Sequence, residues 1–333
     1  MRGQAWHNAV SYFNGYLMRK LLCCASLLLS VVLGPTLVTA DGQEPCAGAL
    51  AGLTEQARQL VRPMACDSQF AGVVTPQLTR ELRSLPEYQA RPAQLLLDLL
   101  PLARSYALPP ISNFYVGAVV EGKSGALYLG ANLELMDSAL GATIHAEQSA
   151  LNNALLGGEQ TLVRLAVTAA PCGHCRQFLN ELAGAHKLEI HVVDQQPTTL
   201  ADLLPQSFGP AALGEAGLGV HHKGKQCLAH KCAAAEHLAH SYAPYSNSPS
   251  AVEVQTEKGV YIGRYIENAA FNPSLSPLLS ALDRMRFVEP DLAAVRKITL
   301  TELQAARIRQ APSLRAMLRH FAPEAELIVN LVN

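Results

Sequence analysis

The chain has no excess of charge of either sign. Its 333 residues carry 26 Lys and Arg against 27 Asp and Glu, so the formal net charge is −1 at pH 7. Proteins that bind a nucleic-acid backbone normally show a strong basic excess or a basic stripe. Disorder is also disfavoured, because 49% of the residues are hydrophobic and only 16% are charged. We therefore expect a folded protein of two domains, with a small-molecule partner and no nucleic-acid partner.

Cysteine is sparse, with eight residues in the whole chain, which is unlike a disulfide scaffold. Only Cys172 and Cys175, in PCGHC, combine metal-ligand spacing with a convincing context. Cys227 and Cys232 could hold a second metal together with nearby histidines, namely His221, His222, His230 and His237. We favour the simpler interpretation of an Ala-rich helix with surface histidines there.

The chain also lacks an apolar run long enough for a comfortable transmembrane helix. The segment from Met18, MRKLLCCASLLLSVVLGPTLVTADG, has basic residues, a short apolar run and a small-residue end at Val38 and Ala40, as a signal peptide has. We expect residues 1–47 to be an extension that the folded protein does not use, in a cytoplasmic protein with no membrane contact in its mature form. The alternative is export, with residues 18–40 acting as the signal.

Periodic apolar residues begin at about residue 48. Three-to-four spacing, with Thr or Pro near the starts, predicts a small helical segment over 48–90. Over 91–195, two β-rich runs flank the turn GKSG, and helix, strand, helix and strand follow. The second of these helices is predicted over PCGHCRQFLNELA, with proline in its first turn. The order ββαβαβ predicts an α/β domain with a helix-flanked mixed sheet. Residues 196–225, rich in Pro, Gly and Ala, are predicted to be a linker.

An internal repeat follows the linker. Residues 241–282 echo residues 105–151, since both stretches begin with SYA and end with SAL. The tripeptide HAE at 145–147 has become SPL at 276–278, and no cysteine pair follows the second copy. Residues 226–333 are therefore predicted to keep the fold of the first copy without its polar chemistry.

Two short motifs bring candidate metal ligands to neighbouring helix starts. His145 and Glu147 open one helix, and Cys172 and Cys175 open the next, with one strand between them. Helix N-termini favour thiolates, and one imidazole with two thiolates suits zinc. Three protein ligands leave a tetrahedral ion one open position for water, as in catalytic zinc sites. Glu147 is then free to act as general acid and base, and H-x-E…P-C-x-x-C is the signature of zinc nucleobase deaminases.

From about residue 48 to the end, the chain resembles the two-domain, homodimeric bacterial type of cytidine deaminase. SNFYVGA, GANLE, HAEQSA and PCGHCRQFLNEL carry the resemblance. It implies a three-layer helix–sheet–helix fold, duplicated as a catalytic domain over 91–195 and a degenerate copy over 226–333. It also implies one Zn²⁺ per chain and a homodimer. One departure is TAAPC, where the family commonly has a larger residue than Ala169, so the pocket shape there is not carried over.

The resemblance also assigns substrate contacts. Asn132 and Glu134 match residues that bind the ribose hydroxyls, and their i, i+2 spacing on a strand puts them on one face. Phe114 matches a residue that packs on the pyrimidine, and Ala146 a further substrate contact. QSFGP resembles a segment that donates a phenylalanine across the dimer interface, here Phe208.

The sequence thus predicts hydrolytic deamination of cytidine and deoxycytidine to uridine and deoxyuridine, with release of ammonia, in pyrimidine salvage. Glu147 would move the protons, with zinc held by His145, Cys172 and Cys175. One alternative is a polynucleotide deaminase of the same superfamily, which the absence of basic excess disfavours. Another is a non-catalytic, zinc-stabilised interaction module, which Glu147 and the open zinc position disfavour.

Overall fold

The computed structural model describes residues 48–219 and 237–333. The signal-like segment falls outside these ranges, as do Cys227 and Cys232 of the possible second metal site. Within the two ranges, none of the helices combines the length and the hydropathy needed to cross a membrane.

Short helices precede the central hairpin of the first sheet, and their starts carry the predicted residues. Thr54 Oγ1 accepts a hydrogen bond from the backbone N–H of Ala57, and Thr75 Oγ1 accepts one from Leu78. Proline lies in the first turn of the four helices that follow the first one, where its missing N–H costs nothing. The helices are α1 (Glu55–Ala65), α2 (Pro76–Arg83), α3 (Pro86–Gln89), α4 (Pro92–Asp98) and α5 (Leu100–Arg104).

The first sheet has six strands in the order β1-β3-β2-β6-β7-β8. Its central hairpin is the one predicted around GKSG, and β2 pairs antiparallel with both β3 and β6. The strands β6 and β7 are parallel, so the sheet is mixed as expected. The strands are β1 (Val73–Val74), β2 (Gly117–Gly122), β3 (Leu127–Ala131), β6 (Leu162–Val167), β7 (Glu189–Val192) and β8 (Thr198–Thr199).

Alternating side chains of this sheet belong to two different cores. Ala118 and Val120 pack with the helix that follows the hairpin, whereas Val119 packs with the N-terminal helices. Successive residues of a strand point to opposite faces, so both faces of the sheet are covered. The predicted three-layer helix–sheet–helix arrangement is confirmed.

Two helices after the hairpin begin at the predicted motifs. The helix α6 (Ala146–Leu156) follows a small antiparallel pair, β4 (Leu133–Glu134) with β5 (Thr143–Ile144), and is buried over its first nine residues, 146–154. The helix α7 spans Gly173–Leu179. It is shorter than the sequence suggested, and the preceding proline lies outside its first turn, because Cys172 is the N-cap and its sulfur accepts from Cys175 N at 3.5 Å.

Residues 196–219 contain short elements. A four-residue helix, α8 (Leu200–Leu203), follows β8, and a 3₁₀ turn spans Pro210–Leu213.

The second sheet repeats the first with four strands, in the order β10-β9-β11-β12. The hairpin of β9 and β10 is antiparallel, and β11 and β12 are parallel across a helix, as β6 and β7 are. The elements are β9 (Ser250–Gln255), β10 (Val260–Arg264), α9 (Pro277–Met285), β11 (Lys297–Leu303), α10 (Ala311–Phe321) and β12 (Glu326–Val332).

Equivalent backbone contacts show that the repeat is structural. Gly130 lies so close to α6 that a Cβ there would be 2.3 Å from the carbonyl oxygen of Ala146. At Gly263 a Cβ would be 2.1 Å from the carbonyl oxygen of Pro277, on the equivalent helix. Both hairpins therefore pack against their following helix through a glycine that no other residue can replace.

Candidate zinc-dependent active site

His145, Cys172 and Cys175 lie together at the N-termini of α6 and α7. His145 is the N-cap of α6, and Cys172 is the N-cap of α7. The Nδ1 atom of His145 is 3.4 Å from Cys172 Sγ and 3.2 Å from Cys175 Sγ. All three ligand atoms lie within 4.8 Å of one another, and this is the one such group among the residues that the structure describes.

These separations fit zinc. With Zn–N near 2.0 Å and Zn–S near 2.3 Å, tetrahedral geometry places nitrogen and sulfur ligands about 3.5 Å apart. A hydrogen bond from Cys175 lowers the pKa of Cys172 to about 4, and the same pairing raises the pKa of Cys175. Zinc is bound by the thiolate form of cysteine, so a bound ion would displace any remaining thiol proton. The donor set, one nitrogen and two sulfurs, is the borderline-soft set that zinc prefers.

Glu147 lies beside the ligands and is only 4% exposed. Burial raises the pKa of its carboxyl, outweighing a backbone hydrogen bond and the neighbouring His145, which lower it. Its side chain also contacts the Cys175 thiol. The carboxyl is therefore held next to the metal position without being needed as a ligand.

Gln148 ties the histidine ligand to a second imidazole. Its Oε1 accepts a hydrogen bond from His145 N at 3.2 Å, and its Nε2 lies 3.3 Å from His174 Nε2. The rings of His145 and His174 are 5.9 Å apart. Neither Gln148 nor His174 was predicted, although both are part of the quoted motifs.

Asn132 and Glu134 both contact the loop that carries Phe114. Asn132 Nδ2 donates to the carbonyl oxygen of Phe114 at 2.8 Å, and its Oδ1 accepts from Val116 N at 2.9 Å. Glu134 accepts from Ser112 N at 2.9 Å and from Ser112 Oγ at 2.6 Å. Both candidate ribose ligands therefore also hold the loop.

Hydrogen bonds also set the charge of Glu134. Burial alone would raise the pKa of its carboxyl, but the bonds from Ser112 and Ile111 lower it on balance. The carboxyl is consequently ionised at neutral pH.

The second copy keeps this loop contact. Glu267 accepts from Tyr245 N at 2.8 Å and from Ser246 N at 3.1 Å, and Ser246 Oγ also donates to it. Asn113 and Asn247, next to the two serines, both have positive φ, at 54° and 51°. The described residues of this half, 237–333, contain no group of three close metal ligands, so the contact belongs to the fold, and the parallel SNF and SNS segments were a sequence signal for it.

The remaining predicted residues differ in their burial. Ala146 is fully buried in the first turn of α6, and Ala169 is half-buried between β6 and α7. Phe114 is 60% exposed and Phe208 is 49% exposed. The carbonyl oxygen of Phe208 accepts hydrogen bonds from the side chains of Gln177 and Asn180 at 2.8 and 3.0 Å, which fixes its loop beside α7.

Comparison with known families agrees with this geometry. The family described as "Cytidine and deoxycytidylate deaminase zinc-binding region" matches twice, over residues 91–191 and over residues 200–315. The chain belongs to this family. The first match contains the three zinc ligands, and the second covers most of the repeated half.

Individual relatives match over most of their length. The chain is 44% identical over 245 residues to a cytidine deaminase of Shewanella sp. (strain MR-7), covering 72% of this chain and 82% of the relative. It is 38% identical over 297 residues to a cytidine deaminase of Aliivibrio fischeri, covering 86% and 97%. A cytidine deaminase of Vibrio vulnificus is 44% identical over 239 residues, covering 69% and 80%.

Proposed function

We propose that this family member hydrolyses cytidine and deoxycytidine to uridine and deoxyuridine, releasing ammonia, as a step of pyrimidine salvage. The observation that carries the proposal is Glu147, buried beside a metal position with three protein ligands. Four protein ligands would make the site structural, whereas three leave room for water. A non-catalytic zinc module would not need a buried carboxyl that coordinates nothing.

His145, Cys172 and Cys175 would hold the zinc, which supplies the Lewis acidity that makes water a nucleophile near neutral pH. Glu147 takes the proton of the attacking water and delivers it to N3 of the pyrimidine. It then takes the remaining proton of the water oxygen, which is now bonded to C4, and transfers it to the amino group, which leaves as ammonia. A carboxyl with a raised pKa suits both directions of transfer, and its burial keeps bulk water from competing for the proton.

Asn132 and Glu134 bind the ribose in this proposal. Their contacts with the Phe114 loop do not use all of their hydrogen-bond donors and acceptors. An amide carries two N–H donors, and Asn132 uses one of them on Phe114. A carboxylate offers about four lone-pair positions, and Glu134 uses three of them. One donor and one acceptor thus remain for sugar hydroxyls. Phe114 stacks on the base, and Ala146 forms part of its pocket.

The ribose contacts predict strong discrimination against the free base. Binding energy from the sugar positions the base for attack, so kcat/KM for cytosine is expected to be at least ~10²-fold below that for cytidine. Ammonia release from both compounds measures this ratio. Equal values would remove Asn132 and Glu134 from substrate binding. Faster reaction of a cytidine-containing single-stranded oligonucleotide would favour the polynucleotide deaminase instead, which the net charge disfavours.

The homodimer is supported by large apolar side chains that are exposed outside the strands and α-helices. Those at least 44% exposed are Ile111, Phe114, Tyr115, Met136, Leu140, Phe208, Leu213 and Phe271. A partner subunit would cover this surface and place its Phe208 at the neighbouring site. The particle mass in solution tests this, since a monomer of 35.7 kDa that is fully active would contradict it.

The cytoplasmic location stays a prediction, and one observation favours the exported alternative. Cys66 is disulfide-bonded, and structural disulfides are typical of exported proteins. Its partner cysteine is not among the described residues. Mass analysis of the natural amino terminus distinguishes the two, because export predicts a mature chain that begins near Asp41.

A further inference from the structure

Arg286 is the largest fully buried side chain of the described structure, and it comes from the degenerate half. It follows α9 directly, and its guanidinium forms an ion pair with Asp283, Nη2 to Oδ1, at 2.8 Å. Both side chains have no exposed surface. Burying such a pair is costly, and it is tolerated only when every donor and acceptor is satisfied. The buried pair of Arg286 and Asp283 therefore needs partners for its remaining donors and acceptors.

The other donors of Arg286 cross into the catalytic half. Its Nη1 donates to the carbonyl oxygens of Tyr106 at 2.7 Å and Asn132 at 3.0 Å. Its Nη2 donates to Ser149 Oγ at 3.0 Å and to the carbonyl oxygen of Ala131. Every N–H of the guanidinium thus donates a hydrogen bond, and four of these bonds go to acceptors in the catalytic half.

These acceptors lie directly behind the candidate substrate contacts. Ala131 is the last residue of β3, and Asn132 and Glu134 follow it directly; we call residues 131–134 the strand end. The side chain of Asn132 holds the Phe114 loop. Ser149 is on α6, two residues after Glu147, and its Oγ also accepts from Ala131 N at 3.1 Å. Arg286 therefore joins the strand end to the catalytic helix.

We propose that Arg286 is a positioning residue through which the degenerate half fixes the geometry of the strand end, residues 131–134, and of the Phe114 loop. The inference rests on the proposed function, since it takes Asn132 and Glu134 as substrate contacts. Asp283 orients the guanidinium, and Asn152 of the catalytic half donates to Asp283 Oδ2 at 2.8 Å. A planar fork is needed, because a lysine ammonium has three donors around one nitrogen and cannot reach these separated acceptors.

The test is a double variant, Arg286→Met with Asp283→Asn, in the full-length zinc-loaded chain. Removing both charges avoids an unpaired buried carboxylate, and the new asparagine still accepts from Asn152. With the strand end released, KM for cytidine is expected to rise at least ~fivefold, the effect of about one lost hydrogen bond, while kcat changes less than about twofold. Zinc content should remain at the wild-type level. Arg286→Lys should also raise KM, since the charge remains but the fork does not.

Arg284→Met is the matched control. Arg284 lies two residues away and also donates across the two halves, to the carbonyl oxygen of Ala71 at 2.7 Å and to Asn153 Oδ1. It has no contact with the strand end, so this variant should lose stability but keep the wild-type KM. An unchanged KM in the double variant, or the same KM rise in the control, would overturn the positioning role. If the wild-type chain does not deaminate cytidine, the proposed function itself fails.

Discussion

Glu147→Ala is expected to abolish turnover while the zinc stays bound. Glu147 moves protons and does not coordinate, so its loss removes a positioned acid and base, worth at least ~10²-fold in kcat. The steady-state rate on cytidine measures the loss of turnover, and the zinc content of the same preparation measures whether the metal is retained. Glu147→Gln, which keeps the shape of the side chain, should be as inactive as the alanine variant.

Glu159→Gln is the control for this result. Glu159 accepts from Ser124 at the hairpin turn and contacts none of the three candidate zinc ligands, so its loss should leave kcat unchanged. A Glu147 variant with near wild-type kcat would exclude the proposed proton transfer. Loss of zinc together with activity would instead assign Glu147 to the metal site.

Removing residues 226–333 is expected to eliminate activity although every zinc ligand remains. The two halves share one hydrophobic cluster, and buried polar contacts cross between them. Glu181 of the catalytic half is 1% exposed and accepts from Tyr242 at 2.7 Å and from Ala269 N at 2.8 Å. The fragment would lose these contacts and expose the apolar side chains of the shared core to water, which costs several kcal/mol, on the order of the whole free energy of unfolding.

Co-expression of the two pieces separates lost architecture from simple misfolding. Residues 48–225 alone should be inactive, and their activity should return when residues 226–333 are supplied as a second chain. A monomeric fragment 48–225 with full activity would refute the architectural role of the second half.

The zinc ligands were predictable because their spacing is local. His145, Cys172 and Cys175 follow from two short motifs and one strand, and the repeat follows from a direct echo of residue order. The start of α7 was misjudged by two residues, since proline at a first turn is common and a cysteine N-cap is not a usual signal. The contact that Glu134 and Glu267 each make with a loop could be predicted only with the hairpin register known.

Arg286 could not be predicted from the sequence. An Asp and an Arg three residues apart near a helix end normally indicate an exposed ion pair worth little. Its partners at residues 106, 131, 132 and 149 are more than a hundred positions away, so only the packing of the two halves brings them together. The burial of Glu181 was equally unpredictable, because a glutamate at that place indicates a surface residue and only the packing of the second half covers it.

A single three-ligand catalytic zinc site per chain is tested by titrating zinc into the metal-depleted full-length chain and following cytidine deamination at each step. We expect activity to rise linearly and to stop at one zinc per chain, because residues 237–333 contain no group of three close metal ligands. Activity that does not depend on zinc, or that requires a second equivalent per chain, would contradict a single three-ligand catalytic site.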